Sequence, residues 1–286
     1  DIYRTNWTQL TSSKRAELEK TLPDNMDKTK EALLRATDFL RELEVHNRRL
    51  LPYAMQLVVL SAFFSACPNP TTDQKKFLER WFWVSSFTGW FASGNPSRVG
   101  GLVKEFKDKI AHDPAPQLLD NMRLDEPAQA FPDSFDMRSA RTRTLLLVLL
   151  SLRPRGTDGE ELDEPWRRVS ERGPDTVGRI AATVKDKRLF SSPVNRILKP
   201  DMEDASQAKN WLARLGNLSA ERRSKVLQSH AITEAGYSLL TLQNNADEFL
   251  REREKTLIDL DREFMSQRGV RLPLEKEARP PPVDTD

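Results

Sequence analysis

Apolar residues recur along this chain three or four positions apart, and prolines or glycines fall where that spacing stops. Leu33, Ala36, Leu40 and Leu43 make one stripe, and Asp24 after Pro23 is placed to cap a helix running to about His46. Met55, Val58, Val59, Ala62 and Phe63 mark a second helix, opened by Pro52 and broken by Cys67-Pro68-Asn69-Pro70. Thr71 or Thr72 starts a third, expected to end before Gly94-Asn95-Pro96, and residues 97–110 repeat the pattern through Val99, Leu102, Val103 and Phe106. Further helices are expected over 117–122, 138–152, 204–215, 219–229 with Ser219 as cap, and 244–267. The last is the longest, with Leu250, Leu257, Leu260 and Phe264 as its stripe. No period-two alternation of useful length occurs. The pattern predicts an all-α fold, a multi-helix bundle of about eight to eleven helices.

The breaks divide the chain. Residues 1–112 form an N-terminal helical part with a Trp-rich helix, and 137–269 a C-terminal helical part. Between them, 113–136 holds four prolines, six acids and one base, Arg123, which reads as an exposed connection. Residues 270–286 are charged and proline-rich and are expected to be a disordered tail.

Two adjacent runs stand out, LLPYAMQLVVLSAFF at residues 50–64 and LERWFWVSSFTGWF at 78–91. The second carries three of the six tryptophans of the chain. On a helix Trp83, Phe87 and Trp90 share one face, while Phe77, Trp81, Val84 and Thr88 share another. A helix apolar on two sides belongs at the centre of a bundle, so packing outweighs a base-stacking platform.

Charge narrows the picture little. Lys+Arg number 45 and Asp+Glu 43, a formal net charge of +2, so no global electrostatic case for nucleic acid follows. Locally, residues 138–199 hold fourteen Lys+Arg against eight Asp+Glu (+6), whereas 113–136 carry one against six (−5). Arg167, Arg168 and Arg172 flank Trp166, and Lys185, Lys187 and Arg188 precede Phe190, a mixture suited to phosphate contact and stacking. A solvated, partly ion-paired surface is the plainer reading of the same residues. Cys67 is alone, which rules out an intrachain disulfide or a cysteine zinc cluster; its apolar neighbours suggest a buried thiol and a cytoplasmic address. No stretch reaches the roughly 18 consecutive apolar residues of a membrane span. The opening DIYRTNW, without an initiating Met or a signal pattern, points to a piece of something longer.

Catalytic templates find little purchase. His46, His112 and His230 are far apart in sequence and make no H-x-x-x-H or H-E-x-x-H spacing; His112 looks solvent-facing. The glycine-containing stretch 94–101 places Arg98 at the head of a helix but lacks the Lys-Ser/Thr ending of a P-loop, so a plain turn is the better reading. Carboxylates abound on solvated faces without an identifiable pair. No catalytic residue, metal ligand or cofactor is assigned.

The order and types of certain residues are similar to a known family. Trp7 with Leu10, residues 39–43, Leu51-Pro52-Tyr53, Arg80-Trp81-Phe82-Trp83 with Ser86, Phe87 and Phe91, SPVNRIL at 192–198, Ser229-His230-Ala231-Ile232, and Phe249-x-x-x-Arg253-x-x-x-Leu257 run in one order across nearly the whole chain. Together they resemble the helical region of the GmrSD-type modification-dependent restriction family. Members of that family carry an N-terminal ParB-like, Asp-Gly-Gln-Gln-Arg-containing nucleotide-hydrolysing domain, and many end in an H-N-H nuclease domain; neither sequence occurs here. The resemblance therefore implies a non-catalytic helical module of a bacterial restriction or anti-phage defence protein. Such a module would pack on the nucleotide-hydrolysing domain of the same protein and contact double-stranded DNA, with Arg167, Arg168 and Arg196 as the candidate residues. The alternative is a purely structural or homo-oligomerising helical scaffold without nucleic-acid contact. Neither reading calls for a membrane.

Overall fold

The computed structural model describes residues 11–92, 96–116, 125–198 and 208–273, with backbone alone for 14–23 and 208–210. Among these are eleven α-helices and one two-stranded sheet, an all-α bundle as the spacing predicts. No helix among the described residues is long and apolar enough to cross a membrane. The expected helix at 117–122 and the expected disordered tail lie outside the described residues, save for 270–273.

The first helices are α1 (Ser12–Glu42), α2 (Ala54–Ala66), α3 (Thr72–Thr88) and α4 (Pro96–Asp108). Helix α1 starts well before the expected cap at Asp24 and runs through Pro23. A proline removes one backbone donor, and a long helix absorbs that loss when the turns on either side hold. Its Ala32, Ala36, Phe39 and Leu40 are buried, and α2 packs between α1 and α4. Thr71 caps α3 by accepting from the Gln74 backbone N–H at 3.1 Å. Helix α3 ends at Gly89, which adopts φ 76°, a left-handed conformation that costs glycine nothing. A Cβ there would also run into the Gln129 side-chain amide, because residues 128–129 cross the end of the helix.

Two buried glutamines turn helix starts into ties between helices. Gln56 accepts from the Tyr53 N–H and gives its amide protons to the Phe82 carbonyl (3.2 Å), Ser85 Oγ (2.9 Å) and Ser86 Oγ (2.8 Å) of α3. Gln74 accepts from the Thr71 N–H and donates to the carbonyls of Ile110, Ala111 and Asp113. Each is placed near the first turn, where orphan backbone donors need an acceptor. Cys67, expected to be buried, is half-covered and its thiol faces Gln74 Oε1 at 3.6 Å.

The tryptophans are core. Trp81, Trp83 and Phe87 expose 1%, 2% and 0% of their surface. Trp81 packs on Phe106 of α4 at 4.7 Å between ring centres, and Trp83 meets edge-on Phe264 of the last helix at 5.0 Å. The aromatic contacts thus carry α3 to α4 and to the C-terminal part, while its bond to α2 is the polar one through Gln56.

The C-terminal part contains α5 (Ala140–Ser151), α6 (Pro165–Arg172), strand β1 (Val177–Arg179), α7 (Lys187–Ser191), strand β2 (Arg196–Leu198), α8 (Ala208–Arg214), α9 (Ala220–Ser229), α10 (Glu234–Thr241) and α11 (Ala246–Gln267). The strands pair antiparallel with Val177 opposite Leu198, Gly178 opposite Ile197 and Arg179 opposite Arg196. Helices α6, α7 and α10 go beyond the expected elements; at five to eight residues they are too short for periodicity to declare. The segment before α5 is also less exposed than expected. Ala128 is buried, and the backbone N–H groups of Ala128, Gln129 and Phe135 donate to the carbonyls of Arg271, Phe87 and Ser191. Both helical parts and this connection share one buried cluster.

Helix α11 carries two buried charges. Arg253, fully buried, donates through Nη2 to the His230 carbonyl at 2.9 Å and through Nη1 to the Val194 carbonyl. Burial lowers its guanidinium to about 9, still above neutral pH, so it stays charged. Asp261, one heptad and a residue further along, receives Arg141 of α5 in a buried ion pair. Burial raises the Asp261 carboxyl, and the Arg141 charge opposes that shift.

Trp83→Ala is expected to destabilise the chain by about 3–5 kcal/mol in urea unfolding, as truncation of a packed aromatic does. Arg253→Leu leaves the Val194 and His230 carbonyls unpaired and is expected to cost about 3 kcal/mol or more. Unchanged unfolding midpoints would contradict these structural roles.

Candidate nucleic-acid interface

Proline fits the first turn of a helix, where its missing N–H has no partner to lose, and Pro165 opens α6 in that way. Val169 is the buried residue of this short helix. Trp166 lies flat on the His46 ring (4.7 Å, 21°), and its carbonyl accepts from Asn47 Nδ2 at 2.9 Å. These contacts hold α6 to the loop after α1 and turn Arg167 outward. Arg167 is 63% exposed and sits between two carboxylates of its own helix region, Glu164 at 3.3 Å and Glu171 at 3.2 Å. Its guanidinium is raised first by the hydrogen bond to Glu164 and then by that to Glu171. Arg168 is half-buried, and its carbonyl accepts from Thr176 Oγ1 at 2.8 Å, closing the turn that leads to β1.

Arg196 begins β2 and is half-buried. Its guanidinium lies 5.0 Å from the centre of the Phe135 ring, and its Nε is sealed from solvent without a hydrogen-bond partner. Burial lowers its pKa, and the neighbouring Arg179 charge lowers it further. The strand register sets Arg179 directly beside Arg196, and Arg179 in turn lies 4.2 Å over Phe190. Sequence reasoning misses Arg179 because strands of three residues carry no readable alternation.

Several other cations of the basic segment are committed to structure. Arg141 is buried against Asp261. Arg143 donates to the carbonyls of Met137 (2.8 Å) and Leu51 (3.0 Å), joining α5 to the loop before α2. Arg155 pairs with Glu161 at 2.8 Å and Arg138 with Asp136 at 3.0 Å. Arg188 meets Glu254 of α11, with Nη2 to Oε2 at 2.9 Å. The Asp247 carboxylate, held low by the backbone N–H groups of Asp186 and Lys185, lies at the start of the same helix. Two cations of the segment, Arg141 and Arg188, are therefore matched in space by acids of α11 that lie far away in sequence.

The histidines stand apart. His46 is within 2.9 Å of Glu44, and His112 is exposed. His230 is buried beside Trp211, with Nε2 2.8 Å from the Arg155 carbonyl. Burial, opposed by that hydrogen bond and assisted by the Arg253 charge, lowers its imidazole from 6.5 to about 4. Neutral at pH 7, it serves as a hydrogen-bond donor to backbone. Among the described residues no group of three or more His, Cys, Asp or Glu side chains could hold a metal ion. Residues 93–95 of the glycine-containing turn lie outside the described residues; Arg98 stacks 3.9 Å over Trp90.

No protein-family model matches the chain, and neither a curated protein nor a solved structure matches it.

The buried His230 sets an acid limit on stability. Between about pH 6.5 and 4 the unfolded chain binds a proton that the folded chain refuses, so stability falls as pH is lowered through that window and is fully present above it. The contribution amounts to about 3 kcal/mol. Unfolding midpoints measured from pH 7 to 4.5 are expected to fall steeply, and His230→Gln is expected to flatten that slope.

Proposed function

We propose that this chain is a non-catalytic helical module of a bacterial restriction or anti-phage defence protein, acting in the cytoplasm and packing on a nucleotide-hydrolysing domain. The observation that carries the reading is the way the family-like pieces meet. Arg253 from the last piece bonds Val194 from SPVNRIL and His230 from Ser-His-Ala-Ile. The early runs meet likewise: Gln56 of the 50–64 run holds Phe82, Ser85 and Ser86 of the 78–91 run. Several residues that carry the resemblance thus have a common structural role, which is the support for this reading. Partner packing has a surface to use. Met26 and Leu34 on α1 are 62% and 56% exposed, with Leu33 beside them, an apolar patch that suits an adjoining domain.

Duplex DNA is the ligand of this module, through Arg167, Arg168 and Arg196. Arg167 faces solvent, and its surface ion pairs with Glu164 and Glu171 are of a weak kind that a phosphate can replace. Binding by the chain is weak, because several of the segment's cations already serve the fold. The second reading, a structural or oligomerising scaffold without DNA contact, is favoured by that same pair of carboxylates around Arg167.

Fluorescence anisotropy with a short duplex at varied salt distinguishes the two. The Arg167→Ala, Arg168→Ala double variant is expected to flatten the log–log salt slope by about two units, one for each phosphate left without its cation. An unaltered slope, or no affinity at low salt, would favour the scaffold.

A further inference from the structure

Two like charges directly opposed across an antiparallel pair repel, and sheets avoid the arrangement. Here Arg179 and Arg196 hold such positions. Their side chains leave the same face of the pair. The charged group that acts on Arg196 is not a carboxylate but Arg179 itself. Each guanidinium rests against a ring, Arg179 over Phe190 and Arg196 by Phe135, and a backbone bond from Phe135 N–H to the Ser191 carbonyl at 3.0 Å ties those two rings' segments together. Among the described residues Arg196 Nε finds no acceptor.

The backbone beneath is rigid. Asn195, fully buried, donates to the carbonyls of Ala181 (3.0 Å) and Phe190 (3.3 Å) and accepts from the Ala181 N–H (2.9 Å). It anchors the start of β2 to the end of β1 and to α7. The two cations are therefore held together by the frame rather than by any attraction between them.

We propose that Arg179 and Arg196 form a two-armed site for a single phosphate group. A tetrahedral oxyanion offers several acceptors to two planar forks, neutralises the repulsion, and does so with charge-assisted hydrogen bonds. Phe190 and Phe135 keep both guanidinium planes in place, which limits the ordering cost of binding. The site extends the duplex reading of Arg196 by naming its partner, and it rests on that reading only for what carries the phosphate.

Thermal unfolding of the whole chain in sodium phosphate, against sodium chloride at equal ionic strength, tests the site. Phosphate is expected to raise Tm beyond the chloride control. Arg179→Gln is expected to weaken the apparent phosphate affinity tenfold or more, about the loss of one charge-assisted bond. In the absence of phosphate the same variant should unfold at an equal or higher temperature, since it removes the repulsion. Arg196→Lys keeps the charge but loses the fork, and should weaken phosphate as well. A phosphate effect equal to that of chloride, or one that survives in Arg179→Gln, overturns the site. So does a lower Tm of Arg179→Gln without phosphate, which would make the pair structural. Phosphate binding with no duplex affinity supports the site and sinks the duplex reading; duplex affinity abolished by Arg179→Gln supports both.

Discussion

A dry guanidinium tolerates no idle donors, and Arg253 on α11 is fully buried. The carbonyls it finds belong to a helix end and a turn. His230 caps the C-terminus of α9, where the last carbonyls of a helix have no partner within it. Val194 lies in the 3-10 turn that leads into β2. One side chain thus satisfies acceptors from two irregular segments and fixes both relative to α11. Its charge also acts on the adjacent His230, which burial already keeps neutral. A neutral imidazole beside a charged guanidinium can donate to the Arg155 carbonyl without adding a second buried cation. The cost of burying Arg253 is offset only while all these partners stay in place.

The same helix reaches the other half of the molecule. Two turns beyond Arg253, Asp261 holds Arg141 of α5, and Phe264 abuts Trp83 of α3. On its outer side Glu254 engages Arg188, and Asp247 accepts from the backbone at 185 and 186. Helix α11 therefore joins a polar frame on one end to the aromatic core on the other. Deleting an acid from α11 would do more than change surface charge, because several basic residues of the 138–199 segment are positioned by it.

Periodicity made the long elements legible in the sequence. The Trp-rich helix, its Thr71 cap, the Ser219 cap and the last helix all follow from local rules that tertiary packing reinforces. The short pieces were not legible: α6, α7 and α10 contain too few turns, and three-residue strands contain no period. The continuation of α1 through Pro23 was hidden because a proline is an ordinary stop signal, and the exposed residues after it carry no apolar pattern to argue otherwise. Charge was misleading for a different reason. An arginine in a sequence is by default a surface residue, yet Arg141 and Arg253 are interior, and their partners lie 120 and 23 residues away. Local counting of charges cannot see such pairs.

The distinction matters for reading function from the frame. Several residues that carry the resemblance, among them Arg253, Val194 and His230, hold the fold together, and such residues say little about chemistry, which has to be argued from side chains free to meet a ligand. Arg167 is exposed but already flanked by two carboxylates, which a phosphate would have to displace. Arg196 is different, because the charge that acts on it is another cation, Arg179, directly across the strand pair. The Asn195 clamp prevents the strands from slipping to relieve that opposition. A one-residue slip would also turn Ile197 out of the core and Gly178 out of its pairing, a larger penalty than the repulsion it removed. A frame that over-determines an unfavourable pair keeps the two cations opposed, and the strand pair β1–β2 differs in this from helix α6, where the charge of Arg167 already has carboxylates beside it.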